Sequence, residues 1–400
     1  MARIFIGKHV GIGGRGLVLF VAMTMGLLAT SARADQRRLT LSLGAGEMYN
    51  DNIFFTGDAE MDDYITLLSG GLELIHRKDR LDFSLSGRAV NQDYADNNDL
   101  DGLDQFYTGR FSYRLAHHLK ATLDGSFSRD TQPDRDIDIT GRILGTATRD
   151  TQEYGCGIQY ELTDITSAFL SIQYRDQEYD SSQYSDYSYQ QAGMRFTHRL
   201  DKYIDNTTGR LNFNFAHYDY SATQLDYISG TMGFLYRLTE LWHLQIDLGA
   251  RYTESEFQLS GGRQTNNGWG GVGKLEFGYQ GNSAATTLTV SHDVGAASGL
   301  DGSVERSSAV LDLNYRFAEE ARVGISGGYY RNIADSGDLA LDDTDENTSN
   351  LRAYLRAGLT DSLFLDASYS YSQIEDNIDE MTRERSLYLL RLVWDIPVVE

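Results

Sequence analysis

Cysteine and proline are nearly missing from this 400-residue chain, which holds one cysteine, Cys156, and 2 prolines. A single thiol excludes an intramolecular disulfide framework. So little proline suits long uninterrupted sheet, because proline deletes a ladder hydrogen bond wherever it stands. Past residue 28, no apolar run approaches the roughly 18 residues that a membrane-crossing helix needs. A basic surplus is missing too. The formal net charge is −23, which argues against nucleic acid, since phosphate recognition needs clustered cations. Mean hydropathy is negative, too polar for a helical membrane protein but compatible with a barrel whose lumen and loops are wet.

What the chain does have is alternation. Met232, Phe234, Tyr236 and Leu238 occupy every second position; after Thr239-Glu240-Leu241 the pattern restarts with Trp242, Leu244, Ile246, Leu248, Ala250 and Tyr252. Successive strand side chains point to opposite faces, so each run has one apolar and one polar face. Aromatic rings gather near the turn, where an amphipathic ring would meet lipid headgroups. This pattern predicts a transmembrane β-hairpin, and most of the chain repeats it.

The first residues read differently. Arg3, Lys8 and Arg15 form a basic start, residues 16–28 an apolar stretch, and Ala32-Arg33-Ala34 a small-residue cleavage site. That order predicts a signal peptide over 1–34 and a mature chain over 35–400, with an uncleaved helical anchor as the alternative. An exported chain of amphipathic strands points to the bacterial outer membrane. The alternation predicts about 18 strands, an even number of the size such barrels use. With 1–34 removed, about 20 residues remain per strand and connection, against roughly 9–11 needed to span.

Connections near residues 78, 117, 163, 239, 281, 319 and 361 are short; those near 57, 99, 140, 182, 262, 299, 340 and 378 are longer and richer in Asp, Ser and Gly. Short turns belong at the periplasmic rim and long loops outside. The stretch 201–208 breaks the rule, being long where a short turn is expected. The longest polar loop is 129–149. Asp335, Asp338, Asp342, Asp343, Asp345 and Glu346 read as a solvated acidic loop, with bound calcium as the alternative.

The polar face predicts the lining of a pore: Arg88, Arg110, Arg114, Arg195, Arg237, Arg251, Arg316, Arg352 and Arg356, with Tyr218, Tyr330 and Tyr354. Asn212, Asn214 and Gln245 share that register, and Lys120, Arg199 and Lys274 belong to the inward set. Inward acids are fewer, among them Asp82, Asp124, Asp247, Glu276 and Asp366. A basic wall beneath acidic loops would favour anions. Opposite charges neutralising one another across strands is the alternative. No catalytic residues, metal ligands or cofactor are expected. Gly11 to Gly16 matches a dinucleotide fingerprint only inside the leader, and Gly268 to Lys274 lacks the Ser/Thr and helix of a phosphate loop.

The segment Glu47-Met48-Tyr49-Asn50-Asp51-Asn52-Ile53-Phe54, followed by Asp62-Asp63-Tyr64-Ile65 and Gly70-Gly71-Leu72, resembles the β-barrel porin 2 family, which includes outer-membrane barrels associated with exopolysaccharide secretion. The resemblance implies a conduit for exopolysaccharide export, with a periplasmic polysaccharide-export protein as partner. Outer-membrane lipid and lipopolysaccharide would surround it. The chain departs from many such barrels after Trp394, where Asp395 to Glu400 replaces a terminal aromatic. A general or anion-selective small-solute diffusion porin and a plugged structural or adhesive surface barrel are the alternatives.

Overall fold

A computed structural model describes residues 36–131, 147–296 and 299–399. The expected leader, most of the long polar loop and Glu400 lie outside the described residues. Eighteen strands follow in chain order. They are β1 (Gln36–Asn50), β2 (Asp63–Lys78), β3 (Leu81–Tyr94), β4 (Gly102–Ala116), β5 (Leu119–Asp130) and β6 (Arg149–Thr163). Next come β7 (Thr166–Tyr179), β8 (Tyr187–Arg199), β9 (Thr207–Tyr220), β10 (Thr223–Arg237), β11 (Trp242–Leu259) and β12 (Gly262–Gln280). The last are β13 (Ala284–Ala296), β14 (Ser303–Ala318), β15 (Ala321–Ala334), β16 (Thr344–Gly358), β17 (Leu363–Asp376) and β18 (Met381–Val399). Each pairs antiparallel with its sequence neighbours, and β1 pairs with β18, so the sheet closes on itself. Closure pairs the strands with their neighbours all the way round, apart from residues 262–272 of β12, which have no ladder partner on the β13 side; paired edges are what lets a sheet stand in hydrocarbon.

Both described ends lie at one rim, here called the terminal rim; the opposite one is the distal rim. Terminal-rim turns are tight for a local reason. The Oγ1 of Thr239 accepts the N–H groups of Leu241 (3.2 Å) and Trp242 (3.1 Å). Thr360 does the same for Ser362 (3.4 Å) and Leu363 (3.1 Å), and Thr163 for Ile165 (3.3 Å). A threonine hydroxyl thus replaces the missing ladder partner at these three turns. Three register shifts sit beside terminal-rim turns, in β4–β5, β6–β7 and β14–β15, so they do not invert the faces of the strand bodies. Residues 200–206 form the long terminal-rim connection that the sequence predicts.

The outward face is apolar along the strand bodies: Leu72, Leu123, Leu170, Phe213, Met232, Leu248, Leu311 and Leu390 are all exposed. Rings mark both ends of this band. Trp242 packs against Phe277 (4.9 Å between centroids) and Tyr279 (4.8 Å) toward the terminal rim. Tyr49–Tyr64 (4.9 Å) and Tyr252–Trp269 (5.3 Å) do so toward the distal rim. Cys156 is exposed on the outward face.

The distal half departs from the sequence reading in three ways. Strands run further than the alternation suggests, so β9–β10 and β11–β12 are joined by two residues each, at 221–222 and 260–261, where a longer loop is expected near 262. The inner face is not polar there: Met48, Ile65, Leu67, Val90, Leu225 and Tyr227 point inward and are buried. Finally, the acidic loop between β15 and β16 is not merely solvated. Its Leu339 and Ala340 are 3% and 1% exposed, because packing against inward tyrosines and valines removes apolar surface from water.

Candidate functional site

The lumen divides into an open half and a filled one. Filling begins with the β1–β2 loop, residues 51–62, which turns inward. The Asn52 amide donates to the carbonyls of Thr56 (2.7 Å) and Glu384 (2.9 Å) and accepts the Thr56 N–H (3.0 Å), fixing the loop against β18. Ile53 then enters the cluster of Met48, Ile65, Leu67, Val90 and Tyr94. Phe55 packs on Tyr330 and Ile374, with the Arg385 guanidinium 5.4 Å from its ring centroid.

The β13–β14 hairpin supplies the second part. β12 and β13 pair only from Gly273↔His292 to Gln280↔Ala285. Beyond that point β13 stays with β14 and leaves the wall. Its contacts show where it goes. Tyr227 Oη on β10 donates to Asp293 (2.6 Å), and Tyr220 Oη on β9 meets Ser303 Oγ (2.9 Å). Asp301 accepts the Ala222 N–H (2.7 Å) and the Thr223 hydroxyl (3.2 Å), and Gly299 bridges to Ser185. Tyr220, Tyr227 and Tyr218 belong to the inner face, so the hairpin lies inside the barrel. The β15–β16 loop stacks on it through Gly302↔Ala340 and a Ser303 N–H to Leu339 carbonyl bond of 2.8 Å. Asp338 in this loop accepts the Asn266 amide at 3.0 Å. Burial, and repulsion from Asp335 and Glu305, push its carboxyl above the usual range, against the pull of Arg251.

Toward the terminal rim the inner wall is open and cationic. Arg110, Arg114, Lys120, Arg195, Arg199, Arg237, Arg316 and Arg322 are exposed there. Among the described residues, Arg110, Arg114, Lys120, Arg237, Arg322 and Arg352 form no ion pair. Elsewhere the charges do neutralise one another. Arg356 pairs with Asp395 (2.7 Å) and Asp366 (3.7 Å), Arg391 with Asp366 (2.9 Å), and Lys274 with Glu276 (2.7 Å). The wall therefore carries unpaired cations on one arc and neutralising pairs on another.

All twelve residues expected to line a pore lie on the inner face. Arg88 sits 5.5 Å from the Phe106 centroid, and Tyr354 donates to Asn314 (2.6 Å). Arg195 donates to Asn212 (2.9 Å), and Arg316 to the Asn282 carbonyl (3.0 Å). Arg251, Tyr218 and Tyr330 are instead buried in the filled half, Arg251 against Glu305. Sequence reasoning misses the filling residues Ile53, Phe55, Leu225 and Leu339. Their signal is a local loss of alternation, as in Ile65-Thr66-Leu67-Leu68, where both faces turn apolar. It also misses Arg210, because the alternation starts only at Leu211.

Two hollows stand out. One, about 580 Å³, is an apolar dent on the outer face between Leu43, Leu68, Leu103, Leu392 and Trp394. The other, about 330 Å³, indents the inner wall below the hairpin across β7 to β13. Among the described residues, no group of His, Cys, Asp and Glu could hold a metal ion.

No family model matches the chain, and no curated protein matches it. Solved structures of similar chain course include OccK2 (OpdF) of Pseudomonas aeruginosa, at 10% identity and a TM-score of 0.47, covering 91% of this chain and 98% of that one. The alcaligin outer-membrane receptor FauA of Bordetella pertussis matches at 9% identity and a TM-score of 0.46, covering 92% and 77%. OccK3 (OpdO) of P. aeruginosa matches at 13% identity and a TM-score of 0.45, covering 91% and 96%. These are likenesses in chain course, at identities too low to bear on what passes through any of the barrels.

Proposed function

We propose that this chain is a bacterial outer-membrane barrel that conducts small polar solutes, anions in preference, through a lumen narrowed by its own loops. The apolar outward band, its two aromatic girdles and the closure of the sheet through β1 and β18 support the membrane setting. The terminal rim then faces the periplasm, and a leader cleaved after Ala34 would deliver the chain there. The observation that carries the reading is the arc of unpaired cations on the open half of the lumen, directly below the inward loops. Fixed charge at a wall sets which ions enter.

Exopolysaccharide export, the function implied by the family resemblance, needs a bore wide enough for a polymer. The packed distal half works against it, and with it against a periplasmic polysaccharide-export protein as partner. Small-solute diffusion fits the geometry better. The packed loops also favour a second reading, a closed surface barrel whose loops do the binding. Liposome swelling with the purified full chain separates the three. Small-solute conduction gives swelling in monosaccharides and small organic acids but none in long oligosaccharides. Polymer export would show as passage of long chains and as lost surface polysaccharide on deletion. A closed scaffold swells in nothing.

A further inference from the structure

The hollow below the β13–β14 hairpin has a chemistry of its own. Its wall carries the cations Arg195, Arg210 and Lys274, the amides Asn212, Asn214 and Gln245, a row of hydroxyls from Ser171, Ser229, Thr231 and Ser291, and the ring of Phe169. Two carboxylates, Asp247 and Asp293, complete it. Those acids are already occupied. Asp247 accepts from Gln245 (2.7 Å) and Asn212 (3.4 Å) and pairs with Arg210 (3.5 Å). Asp293 accepts from Tyr227 (2.6 Å) and from the Val294 N–H (2.8 Å). The donors are not saturated. Arg210 Nε is buried without a hydrogen-bond partner, and the exposed Arg195 is held by one neutral amide oxygen. The two guanidiniums lie on the adjacent strands β8 and β9, where Thr197 faces Arg210 and Arg195 faces Asn212. Asp247 neutralises Arg210 and Glu276 neutralises Lys274, so the spare charge lies at Arg195 and the spare donors on both guanidiniums, beside hydroxyls that can both give and accept.

We infer that this hollow is a binding site for a small carboxylate bearing hydroxyl groups: Arg195 and Arg210 take the carboxylate, the serines, threonine and amides take the hydroxyls, and Phe169 meets the carbon skeleton. A volume near 330 Å³ is at the small end for ligand pockets, which limits the guest to about a monosaccharide. The inference rests on the channel reading above, whose solute class it narrows. A guanidinium–carboxylate contact gives direction as well as strength, because the planar fork matches the planar acid.

Equilibrium binding to the full chain in detergent tests it, with gluconate as probe and sorbitol and acetate as its neutral and hydroxyl-free counterparts. Gluconate should bind one per barrel, with the other two at least about tenfold weaker, the loss expected when a charge-assisted hydrogen bond or its neutral neighbours go unused. Arg195→Gln should weaken gluconate about tenfold or more. It strips no buried acid of its partner, as a change at Arg210 would, and heat-modifiable gel mobility checks that the barrel is folded. Equal affinity for gluconate and sorbitol, no binding at all, or an unchanged affinity in Arg195→Gln overturns the site. Binding in detergent requires no transport. A barrel that binds gluconate but swells no liposome therefore overturns the channel and spares the site, and the reverse result overturns the site alone.

Discussion

Phe55 shows how much one side chain can decide. It adopts φ 52°, a backbone region costly for a non-glycine residue, and is 2% exposed between Tyr330 and Ile374. Emptying such a site typically costs about 3–5 kcal/mol. Here the cost falls on the docking of the β1–β2 loop, since the strands keep their own ladders. Phe55→Ala should therefore leave a detergent-resistant barrel whose β1–β2 loop is cut by added protease, with raised conductance in lipid bilayers. A loop still protected would show that Asn52 and Ile53 hold it without the ring. Asp338 acts through charge. Its carboxyl is raised in the docked loop, so the proton favours docking. That contribution is fully present below the ordinary carboxylate value, about 3.9, and is lost as pH rises through the higher docked value. Acidification through this window should lower open probability. Asp338→Asn should hold the neutral-pH channel in the less open state and flatten the pH profile.

At the scale of elements, the β13–β14 hairpin is what sets this barrel apart from a plain tube. It leaves β12 after His292 and crosses under the distal rim to β9 and β10. Gly302, at φ 150°, makes the crossing possible, because a Cβ there would collide with the Ala340 backbone. Gly302→Val should unseat both loops at once and enlarge single-channel conductance at least about twofold, while the closed strand ladder keeps the barrel folded. Unchanged conductance would mean that the path does not run past this hairpin. The strand bodies were legible in the sequence because hydrocarbon on one side and water on the other impose a period of two, as from Met232 to Tyr252. The distal ends were not, because burial on both faces erases that period at Ile65-Thr66-Leu67-Leu68 and Leu225-Asp226-Tyr227-Ile228. Parity placed Arg110, Arg195 and Arg237 on the inner wall. It could not distinguish Arg195, which meets water, from Arg251, which the hairpin buries against Glu305.

Taken whole, the molecule separates its charge. The chain carries −23 overall, yet exposed, unpaired cations such as Arg110, Arg114 and Arg237 line the open half of the lumen. Acids such as Asp58, Glu60, Asp99, Asp335 and Asp342 stand in the distal connections. In the proposed channel, selectivity follows from the inner wall, because only charge within about a Debye length, roughly 8–10 Å in physiological salt, acts on a passing ion. Single-channel recording of the purified full chain under a potassium chloride gradient tests this most directly. Small, brief openings with a reversal potential displaced toward chloride are expected, and larger openings of the same selectivity in Gly302→Val. Potassium selectivity in both chains, or silence in both, would contradict it.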